Sequence, residues 1–149
     1  MAESKVPVST LVVIYTPALE VLLLERADRP GSWQSVTGSQ QPGEPLRETA
    51  IREVGEETGL DATRFELQEW NLQNVFEIYP VWRHRYAPGV THNTEHVFGL
   101  QLPETQVVRV APREHLKAQW VPWKDAAERV FSWSNRAAIL MLPERNKVQ

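Results

Sequence analysis

The chain has 149 residues, enough for one hydrophobic core, and 42% of them are hydrophobic, the ordinary content of a globular protein. It contains no cysteine, which excludes a disulfide scaffold, a thiolate metal site and a cysteine nucleophile, and fits a reducing compartment. A net charge of −3 argues against a general nucleic-acid binder, which needs a basic excess, while a local basic patch for a small polyanion stays open.

Val8 to Tyr15 is rich in β-branched residues and reads as a buried strand. Its apolar core, Leu11 to Tyr15, is too short for a signal peptide or a membrane span, so the expected location is the cytoplasm and no membrane partner is expected. Val21 to Arg26 reads as a second strand after a turn, and Trp33 to Val36 as a short one delivering the chain to Gly38. Ser39 to Pro45 holds Pro42, Gly43 and Pro45 and reads as a loop. Leu46 to Thr58 reads as a helix stopped by Gly59.

Two strands are expected next, over Phe65–Leu72 and Val75–Tyr86, then a turn at 87–89 and a strand over Glu95–Leu102. A short strand at Gln119–Val121 precedes helices over Trp123–Val130 and Asn135–Leu142, the last with Ser134 as its N-cap. Strands, helix, strands, helices is the order of an α/β/α sandwich with a mixed β-sheet. With no repeat or linker in view, residues 1–149 are expected to form one domain.

The informative segment runs from Gly38 to Leu60 (GSQQPGEPLRETAIREVGEETGL). On a helical wheel, Glu57 lies about 40° to one side of Glu53 and Glu56 about 60° to the other. The three carboxylates share a stripe, and Ala50, Ile51, Val54 and Thr58 form another that faces the core. Like charges at this spacing repel, the helix C-terminus disfavours an anion at Glu57, and Gly55 costs about 1 kcal/mol relative to alanine. A divalent cation is the simplest compensation, and Mg2+ prefers carboxylate oxygens while keeping waters. Taken alone, such a helix reads better as a solvated acidic face beside Arg47 and Arg52, since most surface charge is only solvated.

The wider pattern reverses that preference through a resemblance. Gly38, Glu44, Arg52, Glu53, Val54, Glu56, Glu57, Gly59 and Leu60 fill every required place of the Nudix box, so the chain resembles the Nudix hydrolases. With residue frequencies near ~7%, seven fixed positions recur by chance in roughly one chain per million. The resemblance implies an enzyme that splits a phosphoanhydride by water attack, with Mg2+ as cofactor and Mn2+ as a substitute. It implies Glu53 and Glu57 as principal metal ligands and Glu56 as the next. Arg52 would orient the glutamates, Glu44 would fix the loop to the helix, and Gly38 would permit a close approach. Thr37-Gly38 stands where Gly-Gly is commoner in the family.

Relatives recruit a further glutamate as ligand or general base, for which Glu114 is preferred over Glu95. On a strand, Arg83 and Arg85 would point to one face; with Arg26 and Lys5 they form a clamp for a triphosphate. Trp33, Phe76, Tyr79, Trp82 and Tyr86 offer stacking partners for a flat heterocycle. The segments WQSVTGS (Trp33–Ser39), RHRYAPGVTHNTEH (Arg83–His96) and SWSNR (Ser132–Arg136) resemble a bacterial Nudix branch that hydrolyses dihydroneopterin triphosphate in folate synthesis. That resemblance implies a substrate site of Lys5, Arg26, Thr37, the stretch Phe76, Glu77, Ile78 and Tyr79, and Ser132.

The histidines His84, His92, His96 and His115 lack metal-ligand spacing and read as solvated or structural, with His84 and His96 placed nearest the site. The competing readings are a housecleaning (deoxy)nucleoside triphosphate pyrophosphatase and a non-catalytic binding module; the intact box weighs against the second. The expected partner is a small-molecule triphosphate, with no nucleic acid and no obligate protein partner.

Overall fold

The computed structural model describes residues 4–147. Its strands are β1 (Val8–Tyr15), β2 (Glu20–Arg26), β3 (Trp33–Gln34), β4 (Val36–Ser39), β5 (Glu66–Glu77), β6 (His92–Gln101) and β7 (His115–Pro122). Helix α1 (Leu46–Thr58) follows β4; α2 (Trp123–Arg129), α3 (Trp133–Leu140) and α4 (Leu142–Lys147) close the chain. The strands form one mixed sheet in the order β3-β2-β1-β6-β5, in which β1 and β6 run parallel and the remaining pairs antiparallel.

Each face of the sheet carries its own core. Val12, Ile14, Leu22, Leu24, Phe98 and Leu100 pack under Ala50 and Val54 of α1. Leu11, Val13, Tyr15, Leu23 and Val97 pack on the other side against Ala126, Ala138, Ile139 and Leu142. Alternate residues of the central strands thus feed opposite layers, which explains the unbroken apolar run of β1. The result is the expected α/β/α sandwich. Among the described residues no helix is long and apolar enough to cross a membrane.

One edge of β1 serves two partners. Ser9 to Val12 pair with β4, whereas Tyr15 pairs with β2. The sheet therefore forks, and β2 turns away to pair with β3 and β7. Asn135 of α3 ties the β3–β4 junction to the helical layer: Ser35 N–H donates to its Oδ1 at 2.8 Å and its Nδ2 donates to Ser35 Oγ at 3.0 Å.

Several boundaries differ from those read in the sequence. The stretch expected as two strands is one strand, β5, with a register shift between Glu69 and Gln73 and Asn71 at φ +54°. An inserted bulge looks like a strand break in sequence. The expected strand over Val75–Tyr86 ends at Glu77, and Pro80–Arg85 is a 3-10 helix, because Pro80 donates no backbone hydrogen bond and presets a helical φ. Strand β7 begins at His115, well before Gln119, since its polar residues still pair backbone to backbone with β2. Helix α3 starts at Trp133, so its N-cap is Ser132, which accepts from Asn135 N–H at 3.3 Å; Ser134 lies inside the helix.

The Asn135 clamp is buried, so Asn135→Ala leaves the Ser35 N–H without a partner. The expected loss is about 1–3 kcal/mol in chemical denaturation. An unchanged midpoint would show that the clamp is not needed to join the layers.

Candidate active site

Helix α1 lies across β4, and the two elements build the acidic half of the site. Glu53 and Glu57 are buried, 8% and 1% exposed, and their carboxyls are in hydrogen-bond contact. The wheel thus gives one stripe for two of the three glutamates. Glu56 is exposed; it shares the Arg52 Nη1 with Glu53, at 3.4 Å, and its charge acts on Glu53. A short rotation around the helix separates a carboxylate under the sheet's fork from one on the surface.

Gly38 is what lets Glu53 in. A β-carbon on this residue would fall on the Glu53 carboxylate itself, so only glycine leaves the channel open. Arg52 holds the arrangement from outside: it donates to Glu44 at 2.9 Å, to Glu53 at 2.6 Å and to the Ser39 carbonyl at 2.9 Å. Glu44 also accepts from Thr49 Oγ at 2.7 Å and from Gln41 N–H at 3.1 Å. The expected link from loop to helix is therefore made, and the Arg52 hydrogen bonds draw the Glu44 pKa down to about 2.

The electrostatics of the inner pair run the other way. Burial raises the pKa of Glu53, and burial followed by the contact with Glu53 raises that of Glu57 well above the usual range. Thr37 N–H faces Glu57 and opposes the rise. Glu57 Oε1 is buried without a hydrogen-bond partner, and His115 Nε2 stands 3.7 Å away, too far to serve as one. Burial, then Arg26, lowers the His115 pKa to about 4, so this histidine is neutral near pH 7. His115, read in sequence as solvated or structural, is the histidine at the site; His84 and His96 do not line the cavity. Its sequence signal was adjacency to Glu114.

The pair suits a hard divalent cation: two oxygen donors in contact, one with an unused buried oxygen. Among the described residues no three His, Asp or Glu side chains converge. A cation here would rest on Glu53 and Glu57 and leave its other positions to water and phosphate, the habit of Mg2+.

Around the pair opens a cavity of about 1120 Å3. Lys5, Arg26, Thr37, Arg52, Glu53, Glu57, Phe76, Glu77, Ile78, Tyr79, Arg85, Glu114 and Ser132 all line it. Arg26 pairs with Asp28 at 2.7 Å, donates to Gln34 Oε1 at 3.0 Å and lies 5.3 Å from the Trp82 ring centre. Arg85 approaches the same ring at 5.9 Å. Desolvation, then Arg85, lowers the Lys5 pKa, while Glu53 and Glu114 act on it in the opposite sense. The basic groups are therefore close to one another and to the acidic pair. Arg83 is not among the lining residues: it pairs with Glu77 at 3.2 Å and donates to the Ile78 carbonyl at 3.0 Å. In a 3-10 helix, residues 83 and 85 do not share a face as they would on a strand. Glu95, ranked below Glu114 from sequence, is buried in the cavity wall, whereas Glu114 is exposed on the β7 approach loop.

Gly38→Ala should move the Glu53 side chain rather than the backbone. Stability within about 1 kcal/mol of the parent, with the two carboxyls parted in a crystal structure of the variant, is the expected result. A loss of several kcal/mol would mean that Gly38 serves the fold instead.

A profile of the NUDIX domain matches residues 5–141. The chain is 49% identical over 139 residues to the dihydroneopterin triphosphate diphosphatase of Escherichia coli K12, covering 91% of each chain. It is 43% identical over 134 residues to the Haemophilus influenzae protein of the same name, covering 88% of this chain and 84% of that one. The solved structure of the E. coli dihydroneopterin triphosphate pyrophosphohydrolase superposes with a TM-score of 0.85 at 46% identity, covering 93% and 95% of the two chains. Family profile, sequence identity and superposition agree with the box seated on α1: the chain belongs to the Nudix family.

Proposed function

We propose that this chain is a Mg2+-dependent diphosphatase that converts dihydroneopterin triphosphate to dihydroneopterin monophosphate and pyrophosphate. The observation that carries the reading is the buried Glu53–Glu57 pair facing Lys5, Arg26 and Arg85 across one aromatic-lined cavity. Identity of 49% along nine-tenths of an E. coli enzyme with that name supports the substrate.

Lys5, Arg26 and Arg85 hold the polyphosphate oxygens, with arginine's planar fork suited to two of them at once. Glu53 and Glu57 seat the cation, which when bound screens phosphate charge and makes a water acidic enough to attack. Glu114, on its exposed loop, is the carboxylate best placed to complete the seat or accept the water's proton. Water adds to a phosphorus of the α–β anhydride, the bridging P–O bond breaks, and pyrophosphate leaves. Phe76, Tyr79 and Trp82 supply the flat walls that a bicyclic ring stacks against. Arg52 does not touch the reacting atoms; it keeps Glu53 aimed inward.

Glu57→Gln removes one ionisable seat and is expected to lower kcat by about 100-fold or more while the protein stays folded. A panel of dihydroneopterin triphosphate, GTP and ATP, followed by pyrophosphate release, checks the substrate. Full activity of the variant would overturn the metal role, and a higher kcat/KM for a nucleotide would overturn the pterin assignment.

The pH dependence of stability has a definite sign. A carboxyl whose folded pKa exceeds its unfolded value contributes stability that is present below the unfolded value and lost as pH rises through the folded one. In chelator, the Glu53–Glu57 pair therefore lowers Tm as pH rises above the ordinary carboxyl value of 4.5. His115, with its pKa near 4, acts oppositely between there and its ordinary 6.5, in chelator and in Mg2+ alike, so the comparison of the two curves isolates the pair. Saturating Mg2+ should reverse the fall, because the cation binds the ionised pair. Parallel Tm curves with and without Mg2+ would contradict this.

A further inference from the structure

Glu95 is a buried carboxyl that the chemistry above does not use. It is 5% exposed, lines the cavity and leaves Oε1 without a hydrogen-bond partner. Ser134 and Asn74, both neutral, stand within hydrogen-bonding range of the carboxyl. Among the described residues no cation pairs with it, in contrast to Glu44, Glu53 and Glu56, which all reach Arg52. Burial raises its pKa, the mark of a group that lacks compensation.

Asn93 stands two residues earlier on β6, on the same face and about 7 Å along the strand. Its Nδ2 donates to Ser9 Oγ at 2.8 Å, and its Oδ1 is likewise buried and unpartnered. The wall therefore shows two adjacent acceptors with nothing to accept from. Leaving such groups bare costs about 1–3 kcal/mol each, more when charged. Across the sheet, Asn74 is the antiparallel partner of Glu95, and Phe76 that of Asn93. Phe76 and Trp133, the latter 60% exposed, line the same cavity. These acceptors offer a phosphate no donor, so this wall suits the uncharged, N–H-bearing end of the substrate.

We propose that Glu95 reads the heterocycle: its Oε1, with Asn93 Oδ1 beside it, accepts from the exocyclic amine and ring N–H of a 2-amino-4-oxopyrimidine edge. The inference rests on the function proposed above and names the group that selects its substrate class. Pterin and guanine both present that adjacent pair of donors. Adenine offers one amine beside a ring nitrogen that accepts, so a carboxylate set against it meets a lone pair. A site built to pair with N–H donors discriminates strongly against analogues that lack them, because its own acceptors are then left bare. Glu95 in this role is a specificity residue, distinct from a general base, and the two make different kinetic demands.

The test compares wild type, Glu95→Gln and Glu95→Ala on dihydroneopterin triphosphate and ATP, with Tm recorded for each. The near-isosteric glutamine keeps one acceptor and the fold, and guards against an alanine variant that fails to fold. Expected is a rise in KM for the pterin, with kcat little changed, and a fall of about 10- to 100-fold in the pterin-to-ATP ratio of kcat/KM. Calorimetry with 7,8-dihydroneopterin, which has no phosphate, should show weaker binding to Glu95→Gln by a similar factor. Equal losses on both substrates, or a fall in kcat alone, would overturn the assignment. A wild type that prefers GTP would defeat the pterin reading only; the GTP-to-ATP ratio then tests Glu95 by the same edge.

Discussion

Two carboxylic groups in contact inside a protein repel when both are ionised and lose their solvation as well, so one keeps its proton unless a cation arrives. Glu53 and Glu57 are held in contact by the rest of the structure, and burial raises the pKa of both. A helix carries them, a glycine admits one of them, and an arginine bound to three glutamates fixes the helix to its loop. Arg52 and the Thr37 N–H relieve the pair only in part, and the function proposed above assigns the rest of that relief to a divalent ion.

The forked sheet explains why the cavity is where it is. Because β4 and β2 share one edge of β1, the strands part between Val12 and Tyr15, with Thr37 and Gly38 on the β4 branch. The opening is flanked by α1 on one face and by the start of α3 on the other. The acidic pair comes from the first of these layers. Asn93, Glu95 and Ser132 come from the sheet face and helix of the second. One concavity therefore meets cationic, anionic and aromatic groups drawn from separate layers, which suits a ligand with a charged tail and a flat head.

The acidic helix was legible in full, from Leu46 to the left-handed Gly59, because glycine, box spacing and apolar period all pointed to one element. What the wheel could not supply was burial. Glu53, Glu56 and Glu57 look alike by angle, and only the position of β4 and the opening over Gly38 decide which two go inside. The stretch around Pro80 was misread because Val, Trp and Tyr favour strands, and the tertiary preference for a 3-10 turn won over propensity. His115 and Glu95 were weak in sequence for a different reason. Neither has a spacing signal, and each becomes notable only when folding buries it beside an incomplete set of partners.

The central claim is that Glu53 and Glu57, two buried carboxyls in contact whose pKa values are both raised, would seat a divalent cation. Titration calorimetry of Mg2+ into the protein near neutral pH, repeated in buffers of different ionisation enthalpy, counts the protons exchanged on binding. The account predicts net proton release on Mg2+ binding, because burial raises both carboxyl pKa values and the cation binds the ionised pair. Binding with no proton release, or no binding even with a triphosphate analogue present, would contradict it.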